Sequence, residues 1–284
     1  MKVLVTGASG NVGRFVTQKL LRLGEQVVVA GTDLEKLERL FSDSVCKVVL
    51  DFTDPHTFSE ALKGIDRVFL MRPPYLGKPE QMYPFIDAMK KHNIKFVSFL
   101  SLMGIENNKF PPHHKIEKYI EAKGFHYSHI RPGFFMQNIS GIHAVEIREL
   151  NQIFIPAGKS KTSFVDAEDV GLAVATVLHQ PEKYKDTSYT ITGAEALNYD
   201  QIATILTEIT GHKILYTRPG FLKYRNHYVK KRGLAKSYVN ITLMLYFMTR
   251  IGTAQSITND FMELTDKQPS SFKEFAQKNK EKFI

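Results

Sequence analysis

Three glycines near the start of the chain have the spacing of a phosphate-binding loop. Gly7, Gly10 and Gly13 follow the apolar run at residues 3–5 and precede a helical pattern of apolar side chains. In a strand–loop–helix unit, the first glycine allows the tight turn and the second lets a pyrophosphate approach the backbone. The third lets the helix pack closely on the sheet. N–H groups at the helix start would face the phosphates, favoured by the positive end of the helix dipole.

We therefore predict a dinucleotide site at this loop. An ordinary glycine turn between a core strand and a helix is the simpler alternative, but the order of elements and the position at the chain start favour the nucleotide. The predicted loop contacts are Gly7, Ser9, Gly10, Asn11, Val12 and Gly13.

Further cofactor contacts are expected where later strands end. Asp33 lies about 20 residues beyond the glycines, where a carboxylate binds the adenosine ribose and disfavours a 2′-phosphate. This position favours NAD over NADP, although Arg14 or Lys36 could reach a 2′-phosphate. Asp33 could also cap the helix at 34–41, and capping does not exclude ribose binding. The remaining predicted cofactor contacts are Thr32, Asp51, Phe52, Met71, Arg72 and Ser101.

The alternation of apolar strands with amphipathic helices predicts an α/β fold with a doubly wound parallel sheet. Right-handed crossovers would place the ligand at the carboxyl ends of the strands. The predicted strands are 2–6, 26–30, 47–50, 67–71, 95–100 and 126–131. The predicted helices between them are 11–23, 34–41, 56–63, 79–92 and 113–123.

The pattern loosens after Arg131, which predicts a smaller, mostly helical lobe interleaved with the first. Strands are expected at 152–155 and 189–192, and helices from Asp166 or Asp169 to about Leu178 and at 199–209. A last helix is expected to start at Pro269. The dinucleotide-binding domain is predicted to comprise 1–133 and 152–192, and the substrate-binding lobe 134–151 and 193–284.

Composition limits the classes of function. The chain has 284 residues, 43% of them hydrophobic in type, and a single cysteine, Cys46, which fits a reducing compartment. No segment has the features of a signal peptide or reaches the roughly 18 apolar residues of a membrane span. We therefore expect a soluble, cytoplasmic protein. The sequence leaves the oligomeric state open.

The formal net charge of +9 could indicate a nucleic-acid partner or a membrane surface. The basic residues are spread along the chain, with one local cluster between Lys223 and Lys236, and no helix-turn-helix, zinc-finger or RNA-binding signature is present. A basic surface can also attract an anionic cofactor. We therefore expect neither a membrane nor a nucleic acid as partner.

Several segments together resemble the NmrA-like group of atypical short-chain dehydrogenases. They are the glycine loop at 6–13, His113–Glu117, Ile130–Asn138, Phe164–Val170 and Tyr189–Gly193. The resemblance runs over nearly the whole chain and is weakest from 221 to 260. This group includes type 2 quinone oxidoreductases, triphenylmethane dye reductases and redox-sensing transcriptional regulators. The resemblance implies a Rossmann fold and NAD or NADP as cofactor.

The acid–base pair of the larger superfamily is missing from its expected place. That superfamily uses Tyr-x-x-x-Lys, but here Lys109 and His113 stand at the matching positions. Tyr119 and Lys123 have the right spacing but come too late in the crossover, so Tyr119 is expected to be a packed helix residue. His113 is the predicted proton donor, although it could equally be a solvated or capping histidine. No His, Cys, Asp or Glu grouping shows metal-ligand spacing, so no metal is expected.

Two classes of function remain open from the sequence. The first is an NAD(P)H-dependent oxidoreductase that passes hydride to a quinone-like or dye-like acceptor, since such acceptors need little acid–base help. Phe134, Phe135 and Met136 are predicted to enclose that flat apolar acceptor, with inter-lobe packing as their alternative role. The second is a dinucleotide-sensing regulatory protein without turnover. A sugar-nucleotide epimerase is a weaker third possibility.

Overall fold

The computed structural model describes residues 2–284, which alternate between strands and helices. The strands are β1 (Lys2–Thr6), β2 (Gln26–Gly31), β3 (Cys46–Val49), β4 (Arg67–Met71), β5 (Phe96–Leu100), β6 (His126–Pro132), β7 (Phe134–Phe135), β8 (Gln152–Ile153), β9 (Thr162–Val165), β10 (Thr187–Ile191), β11 (Ala196–Leu197) and β12 (Leu215–Tyr216).

The α-helices lie between and after these strands. They are α1 (Asn11–Arg22), α2 (Leu34–Leu40), α3 (Phe58–Ala61), α4 (Tyr83–Lys91), α5 (Pro112–Ala122), α6 (Gln137–Ser140), α7 (Ala144–Leu150), α8 (Ala167–His179), α9 (Tyr199–Thr210), α10 (Phe221–Asn226), α11 (Lys236–Arg250), α12 (Asp260–Thr265) and α13 (Phe272–Lys278). Among the described residues, no helix is long and apolar enough to cross a membrane.

Seven strands form one parallel sheet in the order β10-β6-β5-β4-β1-β2-β3. This is the doubly wound order, in which the chain moves outwards from β1 in one direction and then in the other. The strand order reverses between β1 and β4, which is the point where doubly wound sheets bind ligands, at the carboxyl ends of the strands. The predicted α/β fold is confirmed, and the predicted glycine loop follows β1 at this switch point.

Two compact units share the chain. The first contains the described residues up to Pro132, then Ala167–Ile191 and Asn259–Lys267. The second contains Gly133–Asp166, Thr192–Thr258 and Gln268–Ile284. Each unit has its own apolar core: aliphatic and aromatic side chains on one face of the parallel sheet in the first, and Tyr- and Phe-rich packing around α9 and α13 in the second.

This division differs from the predicted domains at two places. Residues 152–166 belong to the second unit because β8 pairs with β12, while β9 pairs with β7 and β11. Residues 259–267 belong to the first unit, where α12 packs on α8 and β10. In both cases long-range pairing, which periodicity does not reveal, decides the unit.

A buried polar chain runs through the second unit. His143 Nδ1 lies 2.7 Å from the Tyr228 hydroxyl, and its Nε2 lies 2.6 Å from the Tyr246 hydroxyl. Tyr228 donates its own proton to Glu146 Oε2 at 3.1 Å, so His143 must donate from Nδ1 and accept at Nε2. Burial lowers the pKa of His143 to about 4, which keeps the ring neutral.

Candidate functional site

The glycine loop turns sharply where β1 ends. Gly7 adopts φ +59°, a left-handed conformation that favours glycine. A Cβ at Gly7 would also lie 2.8 Å from Cγ and Sδ of Met71, at the end of neighbouring β4. The Gly10 N–H then closes the turn by donating to the Gly7 carbonyl at 2.9 Å. Glycine is therefore required at position 7 for both conformation and space.

Gly13 packs against the loop itself, whereas the sequence interpretation placed this close approach on the sheet. A Cβ at Gly13 would collide with the Gly7 carbonyl and lie 2.8 Å from Ala8 Cα. Backbone atoms cannot move aside as a flexible side chain does. The helix α1 can therefore start this close to the turn only because residue 13 has no side chain.

The N-terminus of α1 is free to bind an anion. Gly10 is the N-cap and makes no side-chain cap bond, and the first turn contains no acidic residue. The first N–H groups of a helix have no intrahelical partners, and the helix dipole adds positive potential there. A Cβ at Gly10 would lie 3.1 Å from the Gly7 carbonyl oxygen. Apart from the chain neighbours of Gly10, no other heavy atom of the described residues would lie within 4 Å of it. This cradle fits a pyrophosphate.

Thr6 joins the two central strands beneath the loop. Its hydroxyl donates to the Phe69 carbonyl at 2.9 Å and accepts the Met71 N–H at 3.0 Å. These bonds fix the end of β4 beside the end of β1, which places the predicted contact Met71 against the turn. Thr6 was not among the predicted site residues, because a threonine inside a strand carries no distinct local signal.

Asp33 caps α2, which is the alternative role predicted for it from the sequence. Its Oδ1 accepts the Lys36 N–H at 2.9 Å, and both Asp33 and Thr32 are solvent-exposed just beyond the end of β2. A carboxylate that accepts one bond through Oδ1 keeps its other oxygen available. The geometry therefore permits the cap and a ribose contact together.

The two predicted contacts after β3 differ in availability. Asp51 Oδ1 accepts bonds from the backbone N–H and the hydroxyl of Thr53, at 2.8 and 2.7 Å. Phe52 is buried in the core of the first unit, where its ring meets Phe85 edge-on at 5.0 Å. Only the backbone of Phe52 is available to a cofactor.

Arg72 follows β4 and folds back on its own loop. Its guanidinium donates to the carbonyl oxygens of Leu76 and Pro73. Burial lowers the pKa of Arg72, and its Nε is buried without a hydrogen-bond partner within residues 2–284. A buried N–H with no partner is costly. A ligand oxygen could satisfy it, which fits the predicted cofactor contact.

His113 occupies the first turn of α5 and is buried. Its ring centroid lies 6.0 Å from that of Phe99 on β5, and its Nδ1 has no hydrogen-bond partner within the described chain. Burial, reinforced by the positive charge of Arg72, lowers the pKa of His113 to about 3. The imidazole is therefore neutral at physiological pH. Its burial disfavours the alternative that His113 is a solvated histidine. The ring offers a neutral N–H donor instead of an imidazolium acid.

An ion pair holds α5 onto the sheet below His113. Arg131 on β6 donates from Nε and Nη2 to the two carboxylate oxygens of Glu117, at 3.0 and 2.8 Å. Burial alone would raise the pKa of Glu117, but the bonds from Arg131 outweigh it and hold the pKa below its usual range. The predicted contact Ser101 follows β5 nearby; its hydroxyl is buried, and its N–H donates to the Ile130 carbonyl at 2.7 Å.

One grouping in the described chain has metal-ligand geometry, which the sequence spacing did not reveal. Ligand atoms of Glu117, Glu121 and His129 lie within 4.8 Å of one another. Their charges are already balanced, because Arg131 pairs with Glu117 and Lys118 pairs with Glu121 at 2.6 Å. The grouping is therefore an ion-pair network that fastens α5 to β6.

The Tyr119–Lys123 pair lies at the far end of α5, as the sequence analysis expected. The Tyr119 hydroxyl donates to the Asp87 carboxylate at 3.0 and 3.1 Å, and its ring stacks on Tyr83 at 3.7 Å. Lys123 pairs with the same carboxylate at 2.6 Å. The two side chains therefore fasten α5 to α4.

The predicted acceptor wall begins the second unit. Phe134 and Phe135 are half-buried on β7, whereas Met136 is 1% exposed and belongs to the apolar core of that unit. Met136 is therefore a core residue of the second unit, a role that differs from the acceptor contact and the inter-lobe packing considered for this stretch. Phe134 and Phe135 are the predicted acceptor contacts whose side chains are partly exposed.

The fold and loop define a class of protein: a doubly wound α/β domain with a nucleotide-binding glycine turn at its topological switch point. The chain also matches the profile of the NmrA-like family over residues 1–276. It is a member of the NmrA-like family.

Curated relatives match almost the whole chain. Prestalk A differentiation protein A of Dictyostelium discoideum is 29% identical over 98% of this chain and 92% of its own length. The NAD(P)H azoreductase of Xenophilus azovorans is 25% identical over 97% of this chain and 96% of its own length.

Solved structures share the fold at lower identity. A Citrobacter sp. triphenylmethane reductase complexed with NADP(H) gives a TM-score of 0.88 at 21% identity, covering 98% of this chain and all of the other. An Escherichia coli NADPH-dependent quinone oxidoreductase complexed with NADPH gives 0.86 at 21% identity, covering 98% and 99%.

Proposed function

We propose that the protein is an NAD(P)H-dependent oxidoreductase that reduces a quinone-like or dye-like apolar acceptor. The observation that carries this proposal is the chemistry at the start of α5. A neutral, buried His113 stands where the larger superfamily has an acid–base residue, while Tyr119 and Lys123 are bound to Asp87. Such a site suits acceptors that stabilise added electrons themselves.

Relatives support the same class of reaction. The azoreductase matches nearly end to end, and the solved structures of similar fold include a triphenylmethane reductase and a quinone oxidoreductase. The substrates in those names share an extended, conjugated acceptor. We infer that this chain takes an acceptor of that kind, with Phe134 and Phe135 as its apolar contacts.

The cofactor is a nicotinamide dinucleotide, NAD or NADP. The expected preference for NAD has no support, because the dinucleotides in the similar structures are NADP(H) and NADPH. When bound, the reduced nicotinamide supplies the hydride. The chain contributes the α1 N-terminus for the pyrophosphate and, as proposed, Asp33 and Asp51 for the adenosine side. Arg72 Nε supplies a buried N–H without a hydrogen-bond partner within residues 2–284, and Ser101 supplies a buried hydroxyl after β5.

The test is oxidation of NADH and NADPH with a panel of acceptors. We expect a quinone, a cationic triphenylmethane dye and an azo dye to be reduced, and a simple aliphatic ketone to be left unchanged. Ketone reduction at a comparable rate would contradict the proposed site, because it needs a positioned acid. Tight dinucleotide binding with no acceptor reduced would instead favour the sensor function.

A further inference from the structure

The net charge of the protein resides in one segment. Residues 209–259 contain no Asp or Glu and nine Lys or Arg residues. The whole chain has 38 basic and 29 acidic residues, so the rest of the chain carries 29 of each and is formally neutral. The entire +9 therefore belongs to this segment, which contains the local cluster between Lys223 and Lys236 noted in the sequence.

Most of these cations are exposed and lack an acidic partner. Arg218 pairs with Asp200, and Arg232 pairs with Glu146, both at 2.5 Å. Six others are exposed and form no salt bridge within residues 2–284: Lys213, Lys223, Lys230, Lys231, Lys236 and Arg250. The segment therefore presents a strongly positive surface.

The same segment carries an exposed apolar helix face. On α11, Val239, Tyr246 and Thr249 are buried against the unit. The opposite face contains no charged side chain between Lys236 and Arg250. Its large apolar residues are exposed: Ile241 by 53%, Met244 by 57%, Leu245 by 40% and Phe247 by 52%, followed by Ile251 at 59%. A patch of this kind on a soluble domain indicates an interaction site.

Contacts between α10 and α11 bring the apolar and basic features onto one surface. The Phe221 and Phe247 rings lie 6.3 Å apart, and the Arg250 guanidinium lies 5.3 Å from the Phe221 ring centre. Arg225 Nε on α10 donates to Asn240 Oδ1 on α11 at 3.1 Å. Leu222 on α10 adds a side chain that is 79% exposed. We call this the α10–α11 surface.

The positive charge and the apolar side chains of the α10–α11 surface indicate which kind of partner binds it. A second copy of the chain would bring two segments of charge +9 together, and like charges at an interface are strongly unfavourable. A nucleic acid would leave the outward Ile241, Met244 and Phe247 without apolar contacts, because its backbone binds through phosphates. An anionic bilayer satisfies both features, since an interfacial helix buries its apolar face at the acyl boundary while Lys and Arg side chains meet acidic headgroups.

We propose that the α10–α11 surface binds the surface of an anionic lipid bilayer, without spanning it. Ile241, Met244 and Phe247 enter the headgroup–acyl boundary, and the flanking lysines neutralise lipid headgroups. This inference does not depend on the proposed enzymatic function. It differs from the expectation from sequence that the chain has no membrane partner.

The test is co-sedimentation of the full chain with phosphatidylcholine vesicles, with and without phosphatidylserine. We expect binding to the anionic vesicles, little binding to the neutral ones, and loss of binding as salt is raised. Met244→Glu combined with Phe247→Glu should weaken binding by about tenfold or more, because two apolar side chains no longer insert. Both positions are exposed, so the fold should persist, which circular dichroism checks.

A matched control uses two exposed leucines of the first unit. Leu23→Glu combined with Leu40→Glu, at sites 42% and 50% exposed, should leave vesicle binding unchanged. Equal loss in this control, or no binding to anionic vesicles, would overturn the proposal. A wild-type dimer by light scattering that Met244→Glu and Phe247→Glu convert to a monomer would also overturn it, as would salt-sensitive binding to duplex DNA that the same variant retains.

Discussion

Arg131 and Glu117 form a two-bond ion pair in which the carboxylate is only 1% exposed, joining β6 to the helix that carries His113. This contact positions the start of α5 relative to the carboxyl ends of β5 and β6. A buried pair is strongly destabilised when one partner is removed, because the other charge is left uncompensated.

Arg131→Met should therefore lower the free energy of unfolding by about 3–5 kcal/mol. The measurement is urea denaturation followed by circular dichroism. Glu106→Gln is the control, since Glu106 is a half-exposed second carboxylate 3.4 Å from Arg131. It should cost less than about 1 kcal/mol. Equal effects from the two variants would show that the Glu117 pair does not fasten the helix.

Gly10→Val and Gly13→Val should separate cofactor binding from folding. A side chain at Gly10 points into the space proposed for the pyrophosphate, whereas one at Gly13 collides with the backbone of Gly7 and Ala8. We expect Gly10→Val to fold and lose dinucleotide binding by titration calorimetry, and Gly13→Val to lose thermal stability as well. Unchanged affinity in folded Gly10→Val would exclude the proposed phosphate site.

Asp33→Ser should raise the ratio of NADPH to NADH affinity. Removing the carboxylate relieves its repulsion of a 2′-phosphate, while serine remains a good N-cap for α2. The change in ratio therefore reports on the charge and not on the helix. Asp33→Ala is the companion variant, which should also destabilise the protein by roughly 1 kcal/mol through loss of the cap. A ratio that does not move in either variant leaves Asp33 as a cap alone.

His113→Phe should slow quinone reduction by about tenfold, the value of one lost hydrogen bond, and leave reduction of a cationic dye unchanged. The dye becomes neutral on accepting hydride and needs no donor. Because the pKa of His113 is about 3, the wild-type rate should show no step from this residue between pH 5 and 8. Tyr119→Phe should change neither acceptor. A step in the wild-type profile that vanishes in His113→Phe would show that the residue acts as an imidazolium acid.

Stability should fall on the acid side of pH 6.5, in part because of His143. Its pKa is about 6.5 when unfolded and about 4 in the folded protein. Between these two pKa values the His143 ring binds a proton in the unfolded chain but not in the folded protein. The free energy of unfolding therefore decreases as the pH falls. The contribution is up to about 1.4 kcal/mol per pH unit. His143→Gln should reduce the slope of unfolding free energy against pH from 6.5 to 4, and an unchanged slope would contradict the assignment.

Local sequence patterns were enough to predict the first half of the fold. The strands from β1 to β6 match their predicted positions to within one or two residues, because buried parallel strands are short continuous apolar runs. The helix predicted at 199–209 is observed as α9, which ends at Thr210 because Gly211 adopts φ +79°. The last helix starts at Phe272 rather than Pro269, because Ser271 supplies the N-cap.

The remaining features depend on contacts distant in sequence. The strand β9, with sequence Thr-Ser-Phe-Val, has no apolar run, and pairing with β7 and β11 defines it. The Arg131–Glu117 pair requires the crossover geometry of α5 and β6. The neutral state of His113 requires the burial that only the folded chain shows. The cofactor contacts, including those of the glycine loop, and the acceptor contacts stay predictions.

The order in which segments return to the first unit has a consequence for synthesis on the ribosome. Strand β10, which covers the edge of β6, and helix α8, which packs on α1, are encoded after residue 166, and α12 ends at Thr265. Until they emerge, a nascent chain exposes the unpaired edge of β6 and the apolar flank of α1. Translation must therefore pass residue 267 before the nucleotide-binding unit can close. We expect the growing chain to need chaperone protection until that point.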